Sequence, residues 1–412
     1  MKNHELAANG APAAFQVLED CLAIDGRKLT DIADAVGRTP FFVYSRSAIA
    51  RRVQELRAAL PGAVELHYAI KANPLPDVVN YLAELVDGLD VASAGELELA
   101  LATPLARSDI SFAGPGKTDR ELQAAAHSGI VINLESENEM RRLDRIARAL
   151  GVRPTVAVRV NPDFELKTSG MKMGGGPKQF GVDAERVPQM LVELAELNLD
   201  FVGFHIFSGS QNLSAAAIAE SQTNAVELAI RLADTEPDRV KLLNIGGGLG
   251  IPYFPGERAL DLATVGRHLH SLLPRVSARL PQAHVVVELG RYLVGEAGLY
   301  VCRVIDRKIS RGQVFLVTDG GLHHHLAASG NFGQVIRKNY PVLVGNRVAQ
   351  GAREIASVVG PLCTPLDLLA DRMEMARADT GDLIVVCQSG AYGASASPAR
   401  FLGHPAAAEV LV

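Results

Sequence analysis

The sequence predicts an α/β protein: a closed (β/α)8 barrel of parallel strands, followed by a second domain of mostly antiparallel β structure. Three observations carry this reading. Eight short β-branched runs alternate with amphipathic stretches over the first two-thirds of the chain, the pattern of repeated βαβ units. No GxGxxG turn follows the first run, which sets aside the open doubly wound sheet. Beyond about residue 290 strands continue while helical stretches become few. A chain of 412 residues also exceeds what one hydrophobic core usually holds.

In order, the runs are 65–70, 88–91, 110–112, 130–134, 155–160, 201–207, 240–245 and 284–288, with helical stretches such as 137–150 and 187–197 between them. Residues 1–36, strand-like over 15–24, precede the barrel and are expected to join the β domain. The barrel is expected to take 37–289 and the β domain 290–412. Within the latter, 299–307 and 313–318 flank the turn-like Ser310-Arg311-Gly312 and read as a hairpin, and 383–387 follows Gly381-Asp382 as another strand.

Composition narrows the function. A net charge of −5 without basic blocks points away from nucleic acid and anionic membranes. No apolar run is long enough to span a bilayer, and residues 1–15 lack the apolar core of a secretory signal. Cys21, Cys302, Cys363 and Cys387 are scattered, without metal or disulfide spacing. A reduced cytoplasm is the expected setting.

Active sites of such barrels lie at the C-terminal ends of the strands. The first run ends in HYAIKANP, where a period of two puts Glu65, His67, Ala69 and Lys71 on one face. A lysine there reaches the barrel mouth, and burial would lower its pKa and free the amine for Schiff-base chemistry. The plainer alternative is a surface lysine at a strand end. The seventh run enters Gly246-Gly247-Gly248, whose backbone N–H groups can converge on a phosphate or form a flexible turn. The eighth ends in Glu288-Leu289-Gly290-Arg291. That carboxylate can bond a protonated ring nitrogen and the arginine can neutralise an anion, or the two can form a structural ion pair.

The sixth run places Gly203, His205 and Phe207 on one face, with Ser210 on the next loop; the rings serve a ligand or the core. After the second run, Ser93 and Glu96 fit a capping box. Asp90 then faces the mouth, positioned to orient Arg291. Loop 161–181 is long enough to act as a lid. His323-His324-His325 alternate in direction on an extended chain, and no Glu or Cys stands at ligand spacing, so no metal is expected.

Together these pieces resemble the fold-type III, alanine racemase-like pyridoxal-phosphate decarboxylases: diaminopimelate, ornithine and arginine decarboxylases. The likeness runs over nearly the whole chain, with HYAIKANP, DVASAGE, RVNP, GGG, ELGR, GPLC and SGAYG in the family's order and spacing. It implies a TIM barrel plus β domain, pyridoxal 5'-phosphate bound covalently by Lys71, and a homodimer with shared sites. Gly246, Gly247, Gly248, Ser210, Arg291 and Tyr392 would hold the phosphate end, beside Gly290. Glu288 would pair with the pyridine nitrogen, with Asp90 supporting the site and His205 near it. Cys363 of the second subunit would return a proton after CO2 leaves.

Two departures bear on this. Phe207 stands where the family has the histidine that stacks on the cofactor, and Thr364 stands where an acidic residue commonly meets the distal end of the substrate. Arg337, Tyr340, Thr364 and Asp367 are the expected substrate-binding residues. Segments such as GFHIFSGSQN, NIGGGLGIPYFPGE and GPLCTPLDLL resemble a narrower subgroup, associated with exosortase A and exopolysaccharide loci. That subgroup is also similar to decarboxylases of amino acids tethered to acyl carrier proteins. A racemase or a diaminopimelate decarboxylase proper are the alternatives. A racemase would place arginine at the ring nitrogen, whereas Glu288 and Cys363 favour decarboxylation.

Overall fold

The computed structural model describes residues 14–165, 171–234, 236–334, 336–349 and 351–412. The N-terminal residues 1–13, on which the reading about a leader rests, and 166–170 of the long loop lie outside the described residues. The chain divides into two compact units: residues 52–251 with 260–292, and residues 1–51 with 252–259 and 293–412.

The first unit is a closed barrel. Its strands are β1 (Val64–Ala69), β2 (Gly88–Val91), β3 (Ile110–Phe112), β4 (Val131–Leu134), β5 (Thr155–Asn161), β6 (Asp200–Ile206), β7 (Leu242–Gly247) and β8 (His284–Leu289). All neighbours pair parallel, and β8 pairs back with β1 from Val285↔Val64 to Leu289↔Tyr68. Each strand is buried on both faces or nearly so, which is why the runs read as continuously apolar rather than alternating. Every predicted run matches a strand to within two residues.

Helices follow the strands: α1 (Pro76–Ala83), α2 (Ala94–Leu101), α3 (Asp119–Ser128), α4 (Glu137–Leu150), α5 (Val187–Ala195), α6 (Ala215–Leu232) and α7 (Leu262–Arg279). Their ends follow from local chemistry. Thr118 and Glu121 form a reciprocal capping box on α3, and Gly129 and Gly151 end α3 and α4 in the left-handed conformation. At α2 the expected box is only half formed. Ser93 Oγ accepts from Glu96 N, but Glu96 Oε2 accepts from Ala92 N, one residue too early.

The second unit is built on β9 (Gly298–Ser310), which pairs antiparallel with β10 (Gln313–Thr318) across Arg311-Gly312. Both turn residues have positive φ (50° and 83°), the geometry that matches the twist of a two-residue hairpin. The first half of β9 also pairs with strand Leu383–Val386 and with strand Phe41–Tyr44. The N-terminal strands and helix Leu29–Val36 pack Leu22, Ile24, Leu29 and Ile32 against Phe41, Val43, Leu299, Val301 and Val385. The β unit therefore reaches past the expected boundary at residue 36 and takes in 252–259 as well. Phe-Phe-Val-Tyr, read alone, carries no mark of the partner strand about 250 residues away.

The three consecutive histidines are core residues of this unit. His324 bonds Tyr300 Oη through Nδ1 and donates from Nε2 to the Pro405 carbonyl. His325 accepts from Ala328 N, so its other nitrogen donates to Ser389 Oγ. His323 is fully buried against the His324 ring, 3.8 Å between centroids, with neither nitrogen bonded. Among the described residues no helix is long and apolar enough to cross a membrane.

Candidate active site

The C-terminal ends of the barrel strands carry a ring of buried polar side chains. Register brings Glu288 beside His67, Asp90 beside Ser111, and Arg159 beside His205 beside Asn244. Lys71 stands in a 3-10 turn, Ile70–Ala72, directly after β1. Asn73 N closes that turn on the Ile70 carbonyl, and Tyr68 Oη donates to the Asn73 carbonyl. Lys71 Nζ lies 3.6 Å from Glu288 Oε1. The amine was expected to be buried. Its side chain is 47% exposed, because the turn lifts it from the strand face to the open mouth.

Glu288 is the buried anion of the site. Burial works to raise its pKa, but the charge of Lys71 and the nearness of His205 and Arg159 hold it well below the usual carboxylate range. His205 Nε2 approaches Glu288 Oε2 to 3.2 Å without hydrogen-bonding alignment. Oε2 therefore lacks a bonded partner although it is buried, and a protonated ring nitrogen would supply the missing donor. A cofactor with an anionic group and a basic ring nitrogen fits the residues present.

The glycine turn expected to meet an anion lies at the end of β7, beside the loop after β6. Gly246 and Gly248 have φ of 70° and 78°. A Cβ on Gly246 would stand 2.9 Å from Phe207 Cδ2, and one on Gly247 would stand 2.0 Å from the Glu288 carbonyl. No other residue type can bring the backbone so close. A small polar pocket beside this turn is lined by Ser208, Gly209, Ser221, Gln222 and Gly247, with Ile218 and Ile245. Gln222 lies on the buried face of α6 between Ile218 and Ala225, and its Oε1 has no partner. Ser210, expected at the phosphate, is outside this lining and pairs through its backbone with Met171. Half-buried Phe207 sits edge-on to His205, ring centroids 6.5 Å apart. Gly290 packs against Ala72, where a Cβ would stand 2.9 Å from the Ala72 Cβ, and Arg291 opens the short helix Arg291–Val294.

Asp90 was expected to orient Arg291. Its Oδ1 instead accepts from Ser111 Oγ (2.5 Å) and lies 3.5 Å from His67 Nδ1, because register sets it beside β3. Burial opposes a charged His67, yet Asp90, with Glu65 and Glu288, holds its pKa above the ordinary value.

Sequence reasoning missed Arg159, Glu135, His67 and Gln222. Arg159 Nη1 donates to Glu135 Oε1 (2.7 Å), and Glu135 also accepts from Gly114 N and Gly181 N. Burial works to raise the Glu135 pKa, but Arg159 and Lys117 prevail and lower it. The available signal was an arginine at 159 inside a strand otherwise without charge, and a histidine at 67 two residues from Glu65 inside another. The described residues 171–174 of the expected lid are held to the loop after β6: Met173 N and Gly174 N both donate to the Ser208 carbonyl.

In the β unit, Cys363 is exposed on the loop between strands Arg353–Val359 and Leu368–Ala376. Half-buried Thr364 accepts from Leu366 N. Three expected substrate residues have other duties. Arg337 donates to the Ser329 and Leu368 carbonyls and to Asn339 Oδ1. Tyr340 is buried among Tyr253, Phe254 and His325. Asp367 accepts from Leu322 N (2.6 Å) and Leu362 N (2.8 Å). Tyr392 holds the left-handed region at φ 54°, a costly conformation for a bulky residue.

Residues 46–295 match the model of the pyridoxal binding domain of pyridoxal-dependent decarboxylases. The chain is 38% identical to the L-glutamyl-(BtrI acyl-carrier protein) decarboxylase of Niallia circulans, over 90% of this chain and 88% of the relative. It is 35% identical to the diaminopimelate decarboxylase of Aquifex aeolicus, over 95% and 90%. A crystal structure from Aquifex aeolicus superposes with a TM-score of 0.85 at 32% identity, covering 99% of this chain and 94% of that one.

Proposed function

The chain belongs to the pyridoxal-dependent decarboxylases of fold type III and is a carboxy-lyase that uses pyridoxal phosphate, and from that premise we propose that it decarboxylates an amino acid presented on a carrier protein. The observation that carries this is the state of the loop 360–367. A free diamino acid ends in a distal ammonium, and burying one without a carboxylate costs several kcal/mol. The loop holds one carboxylate, Asp367, and two backbone N–H groups occupy it. Thr364 offers a hydroxyl where the family has an acid, which suits an amide or thioester tail. The relative at 38% identity is named for an aminoacyl carrier-protein substrate.

When bound, the cofactor supplies a sink for the electron pair left as CO2 departs. In this reading Lys71 would hold it covalently, and the N–H groups of 246–248 would bind its phosphate, with Ser210, Arg291 and Tyr392 as the further contacts the family resemblance implies. Phe207 would cover one ring face, and Glu288 would hold a proton at the ring nitrogen. Steady-state CO2 release tests the substrate class. A carrier-bound amino acid should exceed free ornithine, lysine and diaminopimelate in kcat/KM by roughly a thousandfold. Efficient turnover of any free diamino acid overturns the proposal.

The active unit in this reading is a homodimer, with Cys363 of one subunit serving the barrel of the other. Cys363 is exposed in the single chain, and so is Leu366, at 58%, so the loop is open to a second subunit. Mixing inactive Lys71→Ala with impaired Cys363→Ala chains should raise activity above that of either variant alone, because one composite site per pair is intact. No recovery after demonstrated subunit exchange rules the shared site out.

A further inference from the structure

The loop that carries Cys363 and Thr364 has no regular secondary structure, yet its backbone is tied at both ends. Gly360 N donates to the Asp367 carbonyl and Asp367 N to the Thr364 carbonyl. Thr364 N donates in turn to the Leu362 carbonyl. We propose that Asp367 is a positioning residue: its carboxylate clips the Cys363–Thr364 loop to the Gly321–His324 turn and so fixes where Cys363 works.

This rests on the reading of Cys363 as the proton donor, but its physical basis is separate. The Asp367 side chain is 3% exposed. One oxygen accepts from Leu322 N across the fold and the other from Leu362 N, next to Cys363. The carboxylate sits between two glycines. A Cβ on Gly321 would stand 2.1 Å from Oδ1, and one on Gly360 2.3 Å from Oδ2. Two converging N–H donors need two acceptor oxygens, which a carboxylate has and an amide lacks. The far end of the clip is itself rigid. His324 N and His325 N both donate to the Gly321 carbonyl, and the His324 ring bonds Tyr300 of β9. The position of Cys363 is thereby referred to a core strand through Leu322, Asp367 and Leu362.

Asp367→Asn tests the clip. Its amide turns a donor toward one of the two N–H groups, so that bond is lost. Exchange of the Leu322 and Leu362 amides should accelerate roughly tenfold, as expected for one buried charge-assisted bond. The visible absorbance of bound cofactor should stay at the wild-type level, and kcat should fall roughly tenfold or more. In a Cys363→Ala background the same substitution should cost less than about threefold, since it acts through Cys363. Gly360→Ala, which crowds the same carboxylate, should reproduce the pattern if Asp367→Asn folds poorly. Unchanged amide exchange, or a full multiplicative loss on top of Cys363→Ala, overturns the proposal. If Cys363→Ala alone leaves kcat intact, the cysteine reading fails by itself, and amide exchange alone decides the clip.

Discussion

Lys71→Ala is expected to give a folded protein that no longer forms a borohydride-reducible adduct with pyridoxal phosphate and loses at least about 10⁴-fold in kcat. The side chain contributes little to the fold. Its turn is made by backbone bonds of Ile70 and Asn73 and by Tyr68 Oη, and 47% of the side chain faces solvent. The amine lies 3.6 Å from the Glu288 carboxylate, and in the proposed reading it is the group that would hold the cofactor. Thermal unfolding should therefore be nearly unchanged while peptide mapping of the reduced wild-type protein finds the adduct at residue 71. An adduct of equal yield on another lysine in the variant refutes the assignment.

Glu288→Gln is expected to keep cofactor in the site but lower kcat by roughly 10² to 10³. The amide is neutral, so it cannot balance a charged ring nitrogen, and its NH2 donates where an acceptor is needed. Glu288 is buried and held strongly acidic by Lys71, His205 and Arg159 against the effect of burial, so it stays ionised throughout the working pH range. The wild-type rate should consequently show no acid limb from this group near neutral pH. A loss of less than about tenfold in Glu288→Gln, with cofactor content verified, places the proton elsewhere.

The barrel was legible because parallel strands buried on both faces leave long apolar runs in the sequence, and because glycine, asparagine and proline punctuate their ends. Lys71, Glu288 and the triple glycine were singled out for a related reason. Each stands at or just past the end of a run, where the architecture delivers side chains to the mouth. Arg159 and His67 were harder. They lie inside runs, where a single charge reads as a lapse in pattern until strand register sets Glu288 beside His67 and His205 beside Arg159. The β unit resisted most. Its central strand pairs with Phe41–Tyr44, and parallel pairs join β10 to Arg353–Val359 and Phe41–Tyr44 to Ala408–Leu411, contacts between distant segments that no local period records. The bond from Leu322 to Asp367 was hidden for the same reason: the two residues are 45 apart in sequence.

The close approach of Gly247 to Glu288 has a bearing on how this enzyme can change. The glycine turn and the carboxylate belong to adjacent strands, β7 and β8, paired at those very residues. Strand spacing is set by main-chain hydrogen bonds and varies little with side-chain identity. In the proposed reading the barrel would thus gauge the cofactor from phosphate end to ring nitrogen with its backbone, a ruler that ordinary substitution does not stretch. The loop carrying Cys363 and Thr364 belongs to the other folding unit and has no part in that measurement. In that reading a lineage could exchange residues there, and with them the compounds it accepts, while the fit of the cofactor stayed as it was.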